Sequence, residues 1–241
     1  MKFTTMQLSK QEYQAWDTVK KSGLEVFRVK DLCLLLGLTK TKAYNVIKAL
    51  KNKAVIAAAG KQFFALRETD DFVIGQRIHF PSYLSFWSAL TYYGLSDQTP
   101  QKIFYATTKY TREIPPFMYV TLSRKRFFGY TKIDALVIAE REKALIDSLL
   151  LPRYAGGIKE VEKALNTGAQ KINFVKLKKY ALQVKSKVVI RRLGFLLEQL
   201  GYQQEAQSLQ KNIGKKGYEV LDPTMKRRNN LNKRWLLDVN G

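Results

Sequence analysis

The run Thr39-Lys40-Thr41-Lys42-Ala43-Tyr44-Asn45-Val46-Ile47-Lys48 concentrates hydroxyls, amines and one amide, with no carboxylate between Asp31 and Glu68. Lysines of this density neutralise phosphates. The Asn45 amide can pair bidentately with an adenine edge, and Thr39, Thr41 and Tyr44 add hydroxyls for backbone or base contacts. Lys61, beyond this run, is an isolated cation placed for a further phosphate. The chemistry these eight residues fit is the reading of duplex DNA.

Other chemistries fare worse. Cys33 is the only cysteine and His79 the only histidine, so neither a disulfide nor a Cys/His zinc site can be assembled. Cys33 sits in Leu32-Cys33-Leu34-Leu35-Leu36 and reads as a buried small hydrophobe rather than a nucleophile. A restriction-type nuclease needs an acid two residues before a lysine, and no lysine here has one. Asp134, Glu140, Glu142 and Asp147 are the acids left for a metal of another geometry. Glu140, Lys143 and Asp147 share one helical face, which reads as an ion-paired surface. There is no phosphate-cradling glycine motif, and Gly156-Gly157 is a turn signal. No catalytic residue, metal or cofactor is expected.

The elements that would position the basic run follow from spacing. Residues 7–22 place Leu8, Tyr13, Trp16 and Val19 at helical intervals, and Gly23 ends that helix. Val26-Phe27-Arg28-Val29 is short and β-prone. A second helix opens at or just before Asp31 and stops at Gly37. Thr39 is a suitable N-cap for a third, over Lys40 to about Asn52, with Ala43, Ile47 and Leu50 as its core stripe. Residues 55–66 read as two strands about a turn at Gly60-Lys61. Helix, helix, glycine turn, basic helix and hairpin is the order of a winged helix-turn-helix, here residues 1–67. The competing reading is a small helical bundle with a solvated lysine face.

The whole chain carries 42 basic against 20 acidic residues, a formal charge of +22. Such an excess opposes the compact state and suits a polyanionic partner. It is unevenly spread: residues 1–67 hold 13 basic and 4 acidic residues, residues 68–157 hold 11 and 9, and residues 158–241 hold 18 and 7. No apolar run is long enough to span a bilayer, and the start, MKFTTMQLSKQEYQAW, lacks a signal-peptide core. The expectation is a soluble cytoplasmic protein with no membrane partner.

After a polar hinge at Glu68-Thr69-Asp70-Asp71, residues 82–94 are apolar nearly all round and read as one buried helix. An aromatic nucleic-acid platform is the alternative, but no lysine or arginine interrupts this stretch, so core is preferred. Residues 102–112, 117–122 and 135–139 read as strands of a small sheet, followed by a helix from about Glu140. From about residue 158 the chain is basic and helical. Lys185, Lys187, Arg191, Arg192, Lys226, Arg227 and Arg228 are either solvated faces of amphipathic helices or a second nucleic-acid surface for DNA or RNA. The sequence favours neither. The fold class is thus α+β: an N-terminal winged helix-turn-helix, then a mixed C-terminal domain, residues 68–241, with a small sheet and several helices.

Several phrases carry a resemblance. YLSFWSALTYYGLSDQTPQKIFYATTK, FFGY, IAEREKALIDSLLLPRY, RRLGFLLEQLG and LDPTMKRRNNLNKRWLLDVNG are similar to the AbiEi family, over about residue 24 to the end. These are antitoxin regulators of type IV abortive-infection toxin–antitoxin systems. One departure is Glu140-Arg141, where the family pattern has a Thr-Pro pair. The resemblance implies a cytoplasmic autorepressor binding inverted repeats in its own promoter. It also implies that the C-terminal domain counters a nucleotidyltransferase-like toxin without needing a stable complex. A stand-alone winged-helix transcription factor, whose C-terminal domain oligomerises or senses a ligand, is the second reading, and a metal-dependent nuclease the third.

Overall fold

The computed structural model describes residues 7–240. Residues 1–6, part of the start read above as lacking a signal-peptide core, lie outside the described residues. The chain is α+β and divides into two compact units, the first ending at Phe80 and the second beginning at Pro81. The boundary therefore falls later than the expected one after residue 67. The reason is an additional helix, α4 (Asp71–Ile78), capped by the Asp70 carboxylate on the Phe72 N–H at 2.7 Å. The acidic segment read as a hinge is the start of that helix.

The first unit continues with α1 (Lys10–Lys21), β1 (Val26–Phe27), α2 (Val29–Leu36), α3 (Lys40–Asn52), β2 (Ile56–Ala58) and β3 (Phe64–Leu66). Ser9 and Glu12 cap α1 reciprocally, each side chain meeting the other's backbone N–H. The three strands form an antiparallel sheet in the order β1-β3-β2, with Phe27 opposite Phe64 and Ala58 opposite Phe64 on the other side. One core joins the helices to this sheet: Ala15 and Val19 of α1, Leu32 of α2, Ala43, Val46, Ile47 and Leu50 of α3, with Phe27, Val55, Ile56 and Leu66. The apolar stripe of α3 thus faces inward and its polar stripe stays in water.

The second unit is built on a six-stranded mixed sheet, larger than the small sheet expected. Its strands are β4 (Ser82–Leu84), β5 (Ile103–Thr107), β6 (Arg112–Ile114), β7 (Phe117–Thr121), β8 (Tyr130–Ile133) and β9 (Leu136–Ala139), in the order β6-β7-β5-β4-β9-β8. The stretch read as one helix over residues 82–94 is divided. Its first three residues form β4, paired antiparallel with β5 and parallel with β9, and only Phe86–Tyr92 form a helix, α5. β4 is an inner strand with both edges paired and all three residues buried, so it lacks the polar alternation of a half-exposed strand and reads like a buried helix in sequence. Phe86, with φ of 52°, makes the corner between the two. The expected core holds for Tyr83 and Phe86, which are fully buried, but not for Tyr92, which is 41% exposed at the end of α5.

Helices α6 (Arg141–Leu150), α7 (Ile158–Gly168), α8 (Phe174–Gln183), α9 (Lys187–Gln199) and α10 (Gln203–Leu209) follow. The α6 start survives the departure at Glu140-Arg141. Glu140 stands at its N-cap without a side-chain cap bond and instead takes the Tyr180 hydroxyl and the Lys176 amine. The tail adds a three-stranded sheet, β10 (Glu219–Val220), β11 (Leu231–Asn232) and β12 (Leu237–Asp238), in a region read as helical. Among the described residues, no helix is long and apolar enough to cross a membrane.

Candidate nucleic-acid interface

The basic run lies on α3, and its presentation is fixed from the preceding turn. The Asp31 carboxylate accepts the Arg28 N–H at 2.8 Å and so starts α2. Gly37 ends α2 in the left-handed conformation, φ 62°, which a residue with a Cβ adopts at a cost. Thr39 then opens α3, its hydroxyl accepting the Lys42 N–H. Thr39 is therefore a capping residue as well as an exposed one.

Burial of Ala43, Val46, Ile47 and Leu50 turns the opposite face of α3 outward. Thr41, Asn45 and Lys48 recur at helical spacing along the centre of that face, and Asn52 extends the same stripe by one turn; all four are exposed. The remaining predicted residues fall on the two flanks. Lys40 and Tyr44 line a cleft of about 580 Å³ together with Lys61, Arg28, Lys30 and Gln62. Lys42 and Asn45 border a smaller groove of about 310 Å³ against Ser9, Gln11 and Glu12 at the start of α1. All eight predicted residues are exposed and lie in one unit. The structure sorts them into a central stripe, a hairpin side and an α1 side.

The hairpin side carries residues that sequence reasoning missed. Arg28 and Lys30 are distant from Lys61 in the chain, but the β1–β3 pairing brings them together. The Arg28 guanidinium stacks over the Phe63 ring at 4.3 Å, tying the β2–β3 connection to the start of α2. Arg28 had been hidden inside a short β-prone run, and only the strand pairing reveals its side. Cys33 is half-buried and lines the same cleft, so the expectation of a fully buried thiol is corrected. Its helix turns that edge toward the hairpin, while Leu32 takes the core position.

Glu12, the acid that lines the groove with Lys42 and Asn45, is neutralised. Glu12 is held by Lys53 Nζ at 2.6 Å and by the Ser9 N–H, and Lys53's hydrogen bond is the main reason its carboxyl sits below the ordinary range. With that charge paired, the exposed face of α3 presents cations, hydroxyls and amides only.

The second basic set does not hold together. Arg191 and Arg192 are 2% and 4% exposed and are core residues of α9. Arg191 donates to the carbonyls of Ile213, Lys216 and Gly217 at 2.9, 3.1 and 2.8 Å. Arg192 donates to those of Leu149 and Val220 at 2.8 and 3.1 Å, and burial lowers it to about 10. They staple the segment after α10 onto α9, because buried carbonyls need donors and a guanidinium supplies several in a fixed fork. Neither can contact nucleic acid. Lys185 and Lys187 are exposed at the α8–α9 turn, and Lys226, Arg227 and Arg228 are exposed on the loop between β10 and β11.

The four acids left for a metal do not converge either. Asp134 is exposed in the β8–β9 turn, Glu140 faces Tyr180 and Lys176, and Glu142 accepts the Asn173 N–H at 2.9 Å. Asp147 is fully buried and ion-paired with Lys143, itself fully buried, so the expected ion-paired surface is an interior pair. The Tyr83 hydroxyl accepts a hydrogen bond from Lys143 Nζ at 3.0 Å and donates one to Asp147 at 3.0 Å, while Ser85 donates to the same carboxylate at 2.9 Å. Both carboxylate oxygens of Asp147 are thus hydrogen-bonded and the Lys143 amine has two oxygen partners, which is how a charge pair survives inside a sheet–helix core. Among the described residues, no three of His, Cys, Asp and Glu are grouped so as to hold a metal.

No family model matches this chain, and no curated protein matches it. Among solved structures it is similar to the crystal structure of the RV2827C protein from Mycobacterium tuberculosis, with a TM-score of 0.65 over 96% of this chain and 92% of that one. The two sequences are 13% identical, so the likeness is one of fold.

Proposed function

We propose that the N-terminal unit is a winged helix-turn-helix that reads duplex DNA, and that the chain is an autorepressing antitoxin of a type IV toxin–antitoxin system. The observation that carries the first half is the outward face of α3: Thr41, Asn45, Lys48 and Asn52 in one stripe, flanked by Lys40, Lys42 and Tyr44, with no unpaired carboxylate beside it. A helix with this face fits the major groove. The element order α1-β1-α2-α3-β2-β3 matches the winged module, with β2–β3 as the wing and Lys61 near its tip. On this reading the cleft between α3 and the hairpin spans a phosphate strand, with Arg28, Lys30, Lys40 and Lys61 around it.

The second half rests on the sequence resemblance to AbiEi regulators. It gives the unit from Pro81 onward the role of countering a nucleotidyltransferase-like toxin, in a cytoplasmic setting. The test is a salt-titrated binding assay of the full chain on duplex DNA from its own promoter, with random duplex as control. Selective binding that falls steeply with salt is expected. Equal, weak binding to both duplexes defeats the operator-reading proposal. Co-expression with the product of the adjacent gene tests the antitoxin role: no relief of growth arrest leaves a stand-alone regulator.

A further inference from the structure

The second unit carries a cationic cleft that neither the DNA-reading face nor the toxin reading uses. It measures about 370 Å³ and is lined by Ser123, Lys125, Arg126, Gln183, Val184 and Lys185. Two segments distant in sequence make it: the short 3₁₀ turn Arg124–Arg126 after β7, and the end of α8. Arg126 Nε donates to the Val184 carbonyl at 3.1 Å and holds them together. That bond uses one of the guanidinium's five donors and leaves its two amino groups available.

Three observations bear on this cleft. No carboxylate lines it. Among the described residues, the ion pairs of the second unit fall on Lys102, Lys143, Lys163, Lys176 and Arg234, so the charges of Lys125, Arg126 and Lys185 are not offset by a neighbouring acid. Lys185 stands at φ 52°, a left-handed conformation that glycine would occupy without strain. This left-handed residue ends α8 just past Val184 and lines the cleft. The charge of Arg126 also acts on the interior: burial, and further this neighbouring cation, push Lys143 below the ordinary lysine range against the pull of Asp147. An anion in the cleft would offset that repulsion.

We infer that this cleft binds a backbone phosphate of a nucleic acid, with the Arg126 amino groups, Lys125 and Lys185 as its donors. Exposed Arg124 and Lys187 neighbour the cleft in sequence and extend the positive charge past one phosphate, which suits a polyanion better than a single nucleotide. The site belongs wholly to the second unit and does not depend on α3 being a DNA reader.

The test uses the full chain carrying Lys42→Ala and Lys48→Ala, so that any binding by α3 is reduced. Into it are placed Lys125→Glu with Lys185→Glu, or, as a control of equal charge change, Lys215→Glu with Lys216→Glu. Fluorescence anisotropy is read with a single-stranded RNA and with a random duplex DNA across a salt series. The cleft variant should lose at least about tenfold in affinity for one of them. Its log–log salt slope should be shallower by roughly 0.7 for each lost contact on a single strand, or roughly 0.9 on duplex. The polymer affected identifies the source of the phosphate. Equal losses in the cleft and control variants overturn the proposal, as does binding of neither polymer by the background chain. Displacement by inorganic phosphate or ATP at polymer-equivalent phosphate concentration also overturns it, in favour of a small-anion site.

Discussion

The indole of Trp235 lies directly on Gly194: a Cβ built on that glycine would stand 2.0 Å from the ring. Gly194 is in the middle of α9, where glycine weakens a helix, and the approach of a fully buried tryptophan explains its presence. The Trp235 N–H is in turn fixed by Glu198, one turn further along. Gly194→Ala should therefore destabilise the chain despite its better helix propensity. The loss is expected at or above the upper end of the usual overpacking range, about 1–3 kcal/mol. Urea unfolding checks this; a midpoint equal to wild type would mean that Trp235 can move aside cheaply.

Removing Lys143 alone strands Asp147 as a buried charge. Lys143→Met is expected to cost about 3–5 kcal/mol, and Lys143→Met with Asp147→Leu to recover much of it. A double-mutant cycle by thermal or urea unfolding measures the difference. If the double variant is as unstable as the sum of the two single ones, the pair is not what holds this part of the sheet to α6.

On the proposed DNA-reading face of α3, Lys48→Ala should weaken binding to every duplex alike and make the salt dependence shallower. Asn45→Ala should instead relax preference at one base pair, by about 1–3 kcal/mol. Competition binding against single-base operator variants separates the two. An Asn45→Ala loss that is equal on operator and random DNA would place Asn45 on a phosphate.

Acid should unfold the protein through a small set of carboxylates. For Glu140 and Asp222 burial alone would raise the pKa, but in each the hydrogen bonds win and hold it below the ordinary value, from Tyr180 and Lys176 in one case and Thr224 and Ile158 in the other. Glu12 is lowered chiefly by Lys53. A folded-state pKa below the unfolded one stabilises the fold above the unfolded value and loses that contribution as pH falls through the folded value. The melting temperature should thus fall as pH drops below about 4.5, from these groups. Asp222→Asn should flatten that acid limb; an unchanged slope would remove Asp222 from the set.

The α3 surface was legible in the sequence because its signals are local: Gly37 and Thr39 punctuate the turn, and the apolar stripe of Ala43, Ile47 and Leu50 has the helical period. What failed depended on distant partners. Ser82-Tyr83-Leu84 opens a largely apolar stretch and is buried throughout, and periodicity cannot tell such a strand from a buried helix. Tyr130–Ile133 lies at a sheet edge with most of its side chains in water, so no buried face marked it as a strand. Arg191 and Arg192 look like solvated charges until the carbonyls of residues 213–220 fold back onto them. Lys143 and Asp147 have the spacing of any surface helix pair, and only Tyr83 and Ser85 from another element make them an interior one.

The pairing pattern of the two sheets also sets the order in which the protein can be completed on the ribosome. Every strand of the first sheet finds its partner by Leu66, and the unit closes at Phe80. By contrast β4, whose first residue follows that boundary almost at once, has its parallel neighbour only at Ile138, and β12 closes the last sheet at the far end of the chain. Parallel pairings between distant segments are slow to form, and chains emerge at about 5–20 residues per second. The first unit is therefore finished while β4 still waits for its neighbour to be translated. A chain truncated between residues 110 and 135 would display a complete first unit and an unpaired strand edge.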